Sequence, residues 1–486
     1  MMSNEDAIPI SPTWLNWIEK CFQIKAKDGT YLKEVTGYVM DSCGRNPINV
    51  SGSYLGAAIL RLAAIEAGCQ PRIPCIGKIY GVKPSSILTI GSVFVGLSSA
   101  ISMPVIGAII DYTSWRKQIG TVSAFFIVII MGISISIGPK TWFAIYILFI
   151  IEGYLSVLHV TTVYAYLPGF STDSKQLSVY TSLTNVKKAC VTIVFYFVVT
   201  LSSIISNLNT VQTSRLASIM STSNAVIFFS YAWIFLFPPK PPLRPLPQNK
   251  NLAFAGFKQL KSTCGKICST YRALKFYILS LLWSPDAGSG TMQTILVTYM
   301  TVILKMTGIQ IGIASFILFV FQIPGGYLAN YVSHKTDPLI GLQISLIGFA
   351  LNSFLFPVVC HSPETQGYTY IFAATYGIMW GWLYPCQNVL YCTLSPKGQE
   401  VEVMGLFAFS NHVLSWAPSM IFSALNEAGA PMKMGVFVTG FFFLISLFFT
   451  LFIGRHDKAV NRIIKAQAPN VDDDISIENL AKNDTQ

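Results

Sequence analysis

The stretch GAIIDYTSWRK, which runs from Gly107 to Lys117, ends a long apolar segment in a short group of polar and charged residues. Within it, Asp111 follows the glycine by four positions and Arg116 follows Asp111 by five. A glycine near the end of a membrane helix lets a neighbouring helix approach, and a carboxylate there can bond a helix N-terminus or pair with a cation. We therefore expect this stretch to join two membrane helices.

The same offsets return in the second half of the chain, at Gly326, Asn330 and Lys335. A spacing repeated at corresponding positions indicates an internal repeat. Each copy closes the second apolar span of its half. We interpret both copies as a gating motif that holds the two halves together in one state and not in the other. The alternative is that Asp111 and Arg116 are solvated loop charges.

The composition of the chain places it in a lipid bilayer. Of 486 residues, 52% are hydrophobic and 11% are charged, whereas a soluble domain carries roughly 25% charged residues. The formal net charge is +11, but the basic residues lie between apolar runs, where they set membrane topology rather than bind nucleic acid. We expect a lipid bilayer, and no nucleic acid, among its partners.

The sequence lacks the motifs that mark an enzyme or a metal protein. It has no hydrolytic triad and no phosphate-binding glycine loop. Cys264 and Cys268 lie four apart without nearby histidines, which disfavours zinc. Cys69 and Cys75 fall in the first loop after the first span, where a local disulfide is an open alternative. We predict that the chain is not an enzyme and uses no cofactor or metal.

Apolar windows long enough to cross ~30 Å of hydrocarbon divide the chain into spans. They lie at residues 86–110, 119–138, 142–166, 190–206, 215–237, 276–304, 309–331, 338–360, 367–394, 402–424 and 433–454, and a weaker one, interrupted by polar residues, lies at 36–66. We predict an all-α membrane protein with twelve transmembrane helices in two related six-helix bundles. The bundles are residues 36–237 and 276–454, preceded by a segment at 1–35 with a candidate amphipathic helix.

The segment between the bundles, residues 238–275, is basic and contains no acidic residue. Its prolines predict an extended linker. Basic residues that fall on the same side as this linker, among them Lys187 and Lys188, outnumber those of the other loops, so we predict that the linker and both termini are cytosolic. The acidic tail, within residues 455–486, is predicted to be disordered and cytosolic.

Two related sets of six helices are the architecture of the major facilitator superfamily, and GAIIDYTSWRK resembles the motif between its second and third spans. Three further stretches narrow the resemblance. They are GYVMDSCGRNPINVSGSYLGAAILRLAAIEAG (37–68), WSPDAGSGTMQTILVTYM (283–300) and GLFAFSNHVLSWAPSMIFSAL (405–425). Together with PVIGAIIDYTSWRK they are similar to the autophagy-linked vacuole effluxers, a branch of that superfamily. The resemblance implies a facilitator fold and the export of amino acids from a vacuole.

Several ionisable residues lie inside predicted spans, where they usually face a polar cavity because burial in lipid is costly. Asp41 and Arg45, four apart in span one, are predicted to form an ion pair on one helical face. Glu152 and His159, seven apart in span four, also share a face. Asp286 lies in span seven beside glycines that let the backbone loosen. We expect these five residues to bind substrate or a coupling proton, although Asp41 and Arg45 are equally well explained as a structural pair.

Spans ten and eleven add uncharged candidates for the same cavity. Tyr376, Trp380 and Gln387 in span ten suit an amphipathic organic solute, and His412 lies inside span eleven. The alternative for each aromatic residue is packing. Gly377 and the glycine four residues after it are expected to bring a neighbouring helix close.

These patterns predict a secondary transporter that moves a small polar organic solute by alternating access, and the resemblance implies that this solute is an amino acid leaving a vacuole. The candidate driving force is a proton or solute gradient, because no ATP-binding motif occurs. The alternatives are a facilitator of a sugar, drug or organic anion, a receptor or adaptor that keeps the fold without transport, and a lipid transporter.

Overall fold

The computed structural model describes residues 20–25, 30–69, 77–170, 174–242, 252–284, 291–396 and 400–467. Within these ranges the regular secondary structure is helical, apart from isolated β-bridges. The N-terminal half contains α1 (Lys33–Glu66), α2 (Ile87–Tyr112), α3 (Arg116–Ser134), α4 (Trp142–Tyr164), α5 (Ser174–Ile205) and α6 (Thr210–Ser230), which continues as a π-helical turn over Tyr231–Leu236. A linker helix, α7 (Leu252–Thr270), follows.

The C-terminal half contains α8 (Arg272–Trp283), α9 (Thr291–Val302), α10 (Gly308–Lys335), α11 (Pro338–Val359), α12 (Thr369–Leu394), α13 (Glu400–Val413), α14 (Trp416–Glu427) and α15 (Met432–Leu451), and α16 (His456–Gln467) follows it. Nine helices within the described ranges are long and apolar enough to cross a membrane. The predicted seventh and eleventh spans are each divided in two, as α8 with α9 and α13 with α14. The predicted tenth span, α12, has 26 residues but is less apolar. The chain is therefore an all-α membrane protein.

Large apolar side chains cover the outside of the helical domain. Phe125, Phe197, Ile371 and Phe448 lie on four different helices, and each is more than half exposed. Soluble proteins rarely expose extended apolar surface. These side chains are instead solvated by the hydrocarbon of the bilayer.

Helix α1 runs through the inside of the N-terminal half, and most of its residues are buried. At Gly44 a Cβ atom would lie 2.9 Å from the ring of Phe229 in α6, so glycine allows the two helices to pack closely. Asp41, which interrupts the apolar pattern of this predicted span, is buried in protein, whereas Asn49 and Arg61 of the same helix are exposed.

In the C-terminal half, α10 and α12 pack backbone against backbone. A Cβ atom on Gly377 would lie 2.2 Å from the carbonyl oxygen of Leu318, and one on Gly381 would lie 2.0 Å from that of Gln322. Gly325 of α10 makes the reciprocal contact with α12. The close helix approach predicted at Gly377 is confirmed, and it is a packing device within one half.

The two halves share an apolar core at one end of the molecule. Leu55 and Ile59 of α1 pack there in one cluster with Ile295 of α9 and Phe422 of α14. We call this end the opposite face, because it lies away from the termini. The end that carries the start of α1 and helix α16 is called the terminal face.

Helix α7 corrects the prediction of an extended linker. The last proline of the segment, Pro247, precedes the helix, so the apolar positions after it are free to follow helical spacing. Ile267 and Tyr271 are buried in the core of the C-terminal half. A Cβ atom on Gly256 would lie 2.0 Å from the carbonyl oxygen of Pro104 in α2. The linker helix therefore contacts both halves.

Some predictions fall outside the described residues. Asp286, Cys75, residues 1–19 and the tail beyond 467 are among them. Cys69, which the sequence analysis considered as a partner for Cys75, is disulfide-bonded.

Candidate functional site

The carboxylate of Asp41 is the centre of a polar cluster inside the N-terminal half. Asp41 has no exposed surface. Its Oδ1 accepts a hydrogen bond of 2.9 Å from the indole Nε1 of Trp233 and lies 2.7 Å from Nε2 of His159. Its Oδ2 lies 3.6 Å from Nε of Arg45. The predicted ion pair between Asp41 and Arg45 is confirmed, and two ring systems from α4 and the end of α6 join it.

His159 connects Asp41 to helix α3. Its Nδ1 lies 2.8 Å from Oγ of Ser123, which also donates to the carbonyl of Gly120 at 3.0 Å. A hydroxyl can donate or accept, so Ser123 can pair with His159 whether or not Nδ1 carries a proton. The His159 ring can therefore gain or lose a proton without leaving a buried nitrogen unpaired.

The packing of Trp233 fixes this geometry. A Cβ atom on Gly120 would lie 1.9 Å from the indole, so only glycine lets α3 admit the ring. The indole lies 5.3 Å from the His159 ring, centroid to centroid. Trp233 is carried by the π-helical turn after α6, and such turns are frequent at functional sites. The sequence analysis missed Trp233 and Ser123, although a tryptophan near the end of a span and a serine inside one were visible.

Glu152 is buried on α4 but does not join the Asp41 cluster. Its only described hydrogen bond comes from Oγ of Ser156, one turn further along the same helix, at 2.8 Å. None of the ion pairs between described residues involves it. Glu152 and His159, which were predicted to share one face of α4, thus belong to two sites, because His159 pairs with Asp41.

The uncharged candidates of span ten lie among the packed helices of the C-terminal half. The hydroxyl of Tyr376 lies 3.1 Å from Oγ of Ser353 in α11, and its ring packs on Phe349. Trp380 donates to the hydroxyl of Tyr384 within α12. Gln387 is buried, and its backbone carbonyl accepts a bond of 2.7 Å from the hydroxyl of Tyr277. The structure does not bring these side chains to Asp41.

His412 lies at the end of α13, just before the break in span eleven. It is buried, and its Nδ1 has no hydrogen-bond partner among the described residues. The break at Ser415 contacts α9, where Thr291 donates to the Ser415 carbonyl at 2.6 Å. Interrupted helices at membrane depth are a recurring feature of transporter binding sites.

In the first copy of the gating motif, the cation is buried inside the N-terminal half. The guanidinium of Arg116 lies 5.3 Å from the ring centroid of Tyr166, and Arg116 interacts electrostatically with Asp111 and Glu34. Glu34 also pairs with Lys240 at 2.6 Å. These contacts join the starts of α1 and α3, at the terminal face, to the segments that follow α4 and α6.

The expected close approach at the motif glycine is not found among the described residues. None of their atoms lies within 4 Å of a Cβ built on Gly107, and the close contact of α2 occurs one turn earlier, where Gly256 of α7 meets Pro104. Lys117 is the next residue after Arg116 at the start of α3 and is less buried than Arg116.

The second copy of the motif differs from the first. Lys335 is exposed, and its Nζ donates to the hydroxyl of Tyr331 in its own helix. A Cβ atom on Gly326 would meet only the carbonyl of Gly381, at 3.7 Å, and the side chain of Asn330 lies outside the described residues. The buried cation of the first copy thus has an exposed counterpart in the second.

A polar seam between α2 and α14 joins the two halves near the opposite face. Glu427 accepts hydrogen bonds from the backbone N–H of Lys83 at 2.8 Å and from Oγ of Ser86 at 2.7 Å. The seam continues along both helices through Asn426 with Ser85 and Ser86, Thr89 with Ser423, and Ser92 with Ser419. Sequence reasoning missed it, because serines and threonines near span ends have no distinctive spacing.

The fold is shared with solved membrane transporters. A POT family transporter in complex with a thioalcohol-conjugated peptide matches at a TM-score of 0.60 and 12% identity, over 90% of this chain and 100% of that one. The xylose transporter XylE from E. coli matches at 0.58 and 12%, over 86% and 98%. The human organic anion transporter MFSD10 matches at 0.55 and 13%, over 86% and 99%. At such identities the likeness shows the fold alone, which is that of the major facilitator transporters.

The family follows from the sequence. The family described as vacuole effluxer Atg22 like matches residues 30–462. The chain belongs to this family, as its resemblance to the autophagy-linked vacuole effluxers predicted. No curated protein sequence matches the chain. Family and fold make it a membrane transport protein.

Proposed function

We propose that the chain is a secondary transporter that exports amino acids from a vacuole by alternating access. The observation that carries this proposal is the buried pair of Asp41 and His159 inside a membrane domain. A charged side chain at the centre of a bilayer costs about 2.5 kcal/mol or more, and such residues usually serve a transport pathway or a proton relay. The family description as a vacuole effluxer supports the organelle and the direction.

The polar seam supports alternating access. It joins the two halves at the opposite face with hydrogen bonds, beside the apolar core that they share there. A hydrogen bond contributes only about 0.5 to 1.5 kcal/mol when both partners are neutral and about 1.5 to 3 kcal/mol when one is charged, so such a seam can open and close. We propose that the opposite face is luminal and that the terminal face, with both termini, is cytosolic.

The coupling ion in this proposal is a proton bound at the Asp41–His159–Ser123 chain. His159 suits this role because each of its nitrogens has a partner in both protonation states. Glu152 is a second candidate, since it lies on the same helix without a cation. The solved structures of the same fold include transporters of peptides, xylose and organic anions by their names, which supports a small polar solute.

Counterflow in proteoliposomes tests the function. Purified protein is reconstituted with an unlabelled amino acid inside, and uptake of labelled amino acids, sugars and organic anions is measured outside. We expect uptake of amino acids above that of protein-free liposomes. Counterflow of a sugar or an organic anion alone would make the chain a facilitator of that solute. Binding without counterflow would make it a receptor.

Protease protection tests the orientation. A tag at the N-terminus and a tag in the 238–275 segment should both be digested on the cytosolic side of sealed vacuolar vesicles. Tags on opposite sides would contradict the proposed topology, because they would require an odd number of spans in the N-terminal half.

A further inference from the structure

Two cations of the N-terminal half, Arg45 and Lys188, lie on helices that contact each other, α1 and α5. Arg45 lies about 18 Å along α1 from its first residue, and Lys188 lies about 21 Å along α5, at the helical rise of about 1.5 Å per residue. Both helices start at the terminal face, so the two side chains are at a similar depth. Arg45 and Lys188 interact electrostatically.

A hydrogen bond between the two helices fixes this arrangement. Nδ2 of Asn46 donates to Oγ1 of Thr192 at 2.5 Å, and the same hydroxyl donates to the backbone carbonyl of Lys188 at 2.8 Å. Asn46 directly follows Arg45, and Thr192 lies one turn after Lys188. The bond therefore places the backbone positions of Arg45 and Lys188 within about one helical turn of the α1–α5 contact.

The charges in this region do not balance. Asp41 is the carboxylate that pairs with Arg45, and its other oxygen is occupied by His159 and Trp233. Nζ of Lys188 makes no hydrogen bond or ion pair with the residues that the structure describes. A cation at membrane depth is costly unless it is paired or solvated in a cavity. An incoming anion would supply the missing partner.

The adjacent lysine, Lys187, has hydrogen-bond partners among the described residues. Nζ of Lys187 donates to the backbone carbonyls of Cys21 and Gln23, each at 3.2 Å, and lies 6.0 Å from the ring centroid of Phe22. The sequence analysis treated Lys187 and Lys188 alike, as markers of topology. The structure separates them, because successive helix residues point in different directions.

We propose that Lys188 and Arg45 form a subsite that binds the carboxylate of the transported solute. This subsite rests on the proposed transport function and adds the solute group that is recognised. Arginine offers a planar fork of donors and lysine a compact charge, and both are strong partners for a carboxylate. Binding neutralises the unpaired charge on α5 and bridges α1 to α5 through the solute.

The test compares three probes with related shapes. L-phenylalanine carries an amino group and a carboxylate, L-phenylalaninamide lacks the carboxylate, and 3-phenylpropionate lacks the amino group. Binding to purified protein and counterflow in proteoliposomes are measured for the unmodified chain and for Lys188→Gln, Lys188→Arg and Lys187→Gln. The last variant removes the same charge from the adjacent position and controls for folding and surface charge.

For the unmodified chain we expect both carboxylate probes to bind more tightly than the amide. Lys188→Gln should weaken their binding by about tenfold or more, equal to about 1.4 kcal/mol, and leave binding of the amide unchanged. Lys188→Arg should restore most of the affinity for the two carboxylate probes. Lys187→Gln should leave the binding of all three probes unchanged.

The failures of the two proposals are distinguishable. Unchanged discrimination between phenylalanine and its amide in Lys188→Gln would overturn the subsite and leave transport standing. Tight binding without counterflow would overturn transport and leave the subsite standing. If the unmodified chain binds neither carboxylate probe more tightly than the amide, the subsite is wrong.

Discussion

The interiors of the two halves differ although their helices follow the same order. The N-terminal half buries a carboxylate, a histidine and two cations in the contacts of α1 with α4, α5 and α6. In the C-terminal half the described residues offer stacked rings, such as Phe349 of α11 on Phe443 of α15 at 4.8 Å, and glycines of α10 and α12 against carbonyls. Among the described residues, the buried charges of the N-terminal half therefore contrast with the close packing of the C-terminal half.

This difference indicates a division of labour. Buried charges are expensive and retained where they act on a solute or a proton, whereas backbone contacts between α10 and α12 make the C-terminal half resistant to deformation. We infer that substrate and proton act mainly on the N-terminal half, and that the C-terminal half moves against it as a rigid body. Substitutions in each half test this contrast.

The largest effect is expected from Asp41→Asn. The variant keeps the shape of the side chain but removes the charge that Arg45 and His159 share, so the cations lose their only described carboxylate partner. Accumulation of solute driven by a pH gradient should fall to the level of protein-free liposomes.

Tyr376→Phe is the matched control in the other half. It removes a buried hydroxyl that bonds to Ser353 and should leave accumulation within a few-fold of the unmodified chain. Equal loss of accumulation in Asp41→Asn and Tyr376→Phe would contradict the proposed difference between the two halves. Retained accumulation in Asp41→Asn would move the proton site to Glu152.

Gly381→Ala should lower the stability of the protein. The loss should be larger than that from the same substitution at a glycine of α10 or α12 with open space around it. The added Cβ would meet the Gln322 carbonyl at 2.0 Å, and overpacking of this kind typically costs about 1 to 3 kcal/mol. Thermal unfolding in detergent measures the change. Gly326→Ala, whose Cβ would lie 3.7 Å from its nearest neighbour, should unfold like the unmodified chain, and equal melting temperatures for both variants would contradict close packing.

The sequence predicted the fold and part of the charged cluster for identifiable reasons. Hydropathy and repeated offsets gave the bundles, and the spacing of Asp41 and Arg45 gave their ion pair. Partners on other helices, such as His159 with Asp41 or Glu427 with Ser86, depend on how helices rotate against each other, and spacing within one helix does not report that. Spacing also does not distinguish Lys187, which donates to backbone carbonyls, from Lys188, since any basic residue near a span end is typical of a topology signal.

Glu427→Ala should open the polar seam. It removes the acceptor of two hydrogen bonds to α2, and a loss of about 1 to 2 kcal/mol shifts an equilibrium by about 5- to 30-fold. In a chain carrying Ser419→Cys, the variant should raise the rate at which a membrane-impermeant thiol reagent labels that cysteine from the opposite face. Glu364→Ala removes an exposed carboxylate from a loop of the same face and should not. Labelling that is equal in the two variants would show that Glu427 does not hold the seam closed.

The smallest effect is expected from the linker helix, and it tests whether the halves are coupled outside the membrane domain. Helix α7 is anchored in the C-terminal half by Ile267 and Tyr271, and it touches the N-terminal half where Gly256 meets Pro104. Gly256→Ala would place a Cβ atom 2.0 Å from that carbonyl and push the helix away, whereas Gly265→Ala adds a Cβ with no atom within 4 Å. Both changes favour the helix itself by about 1 kcal/mol, so their difference isolates the contact.

We expect Gly256→Ala alone to change the turnover rate a few-fold, to leave the affinity for solute unchanged, and to speed tryptic cleavage at the exposed Lys258 and Lys261 of α7. Identical turnover and cleavage in the two variants would mean that the linker helix follows the halves without restraining them.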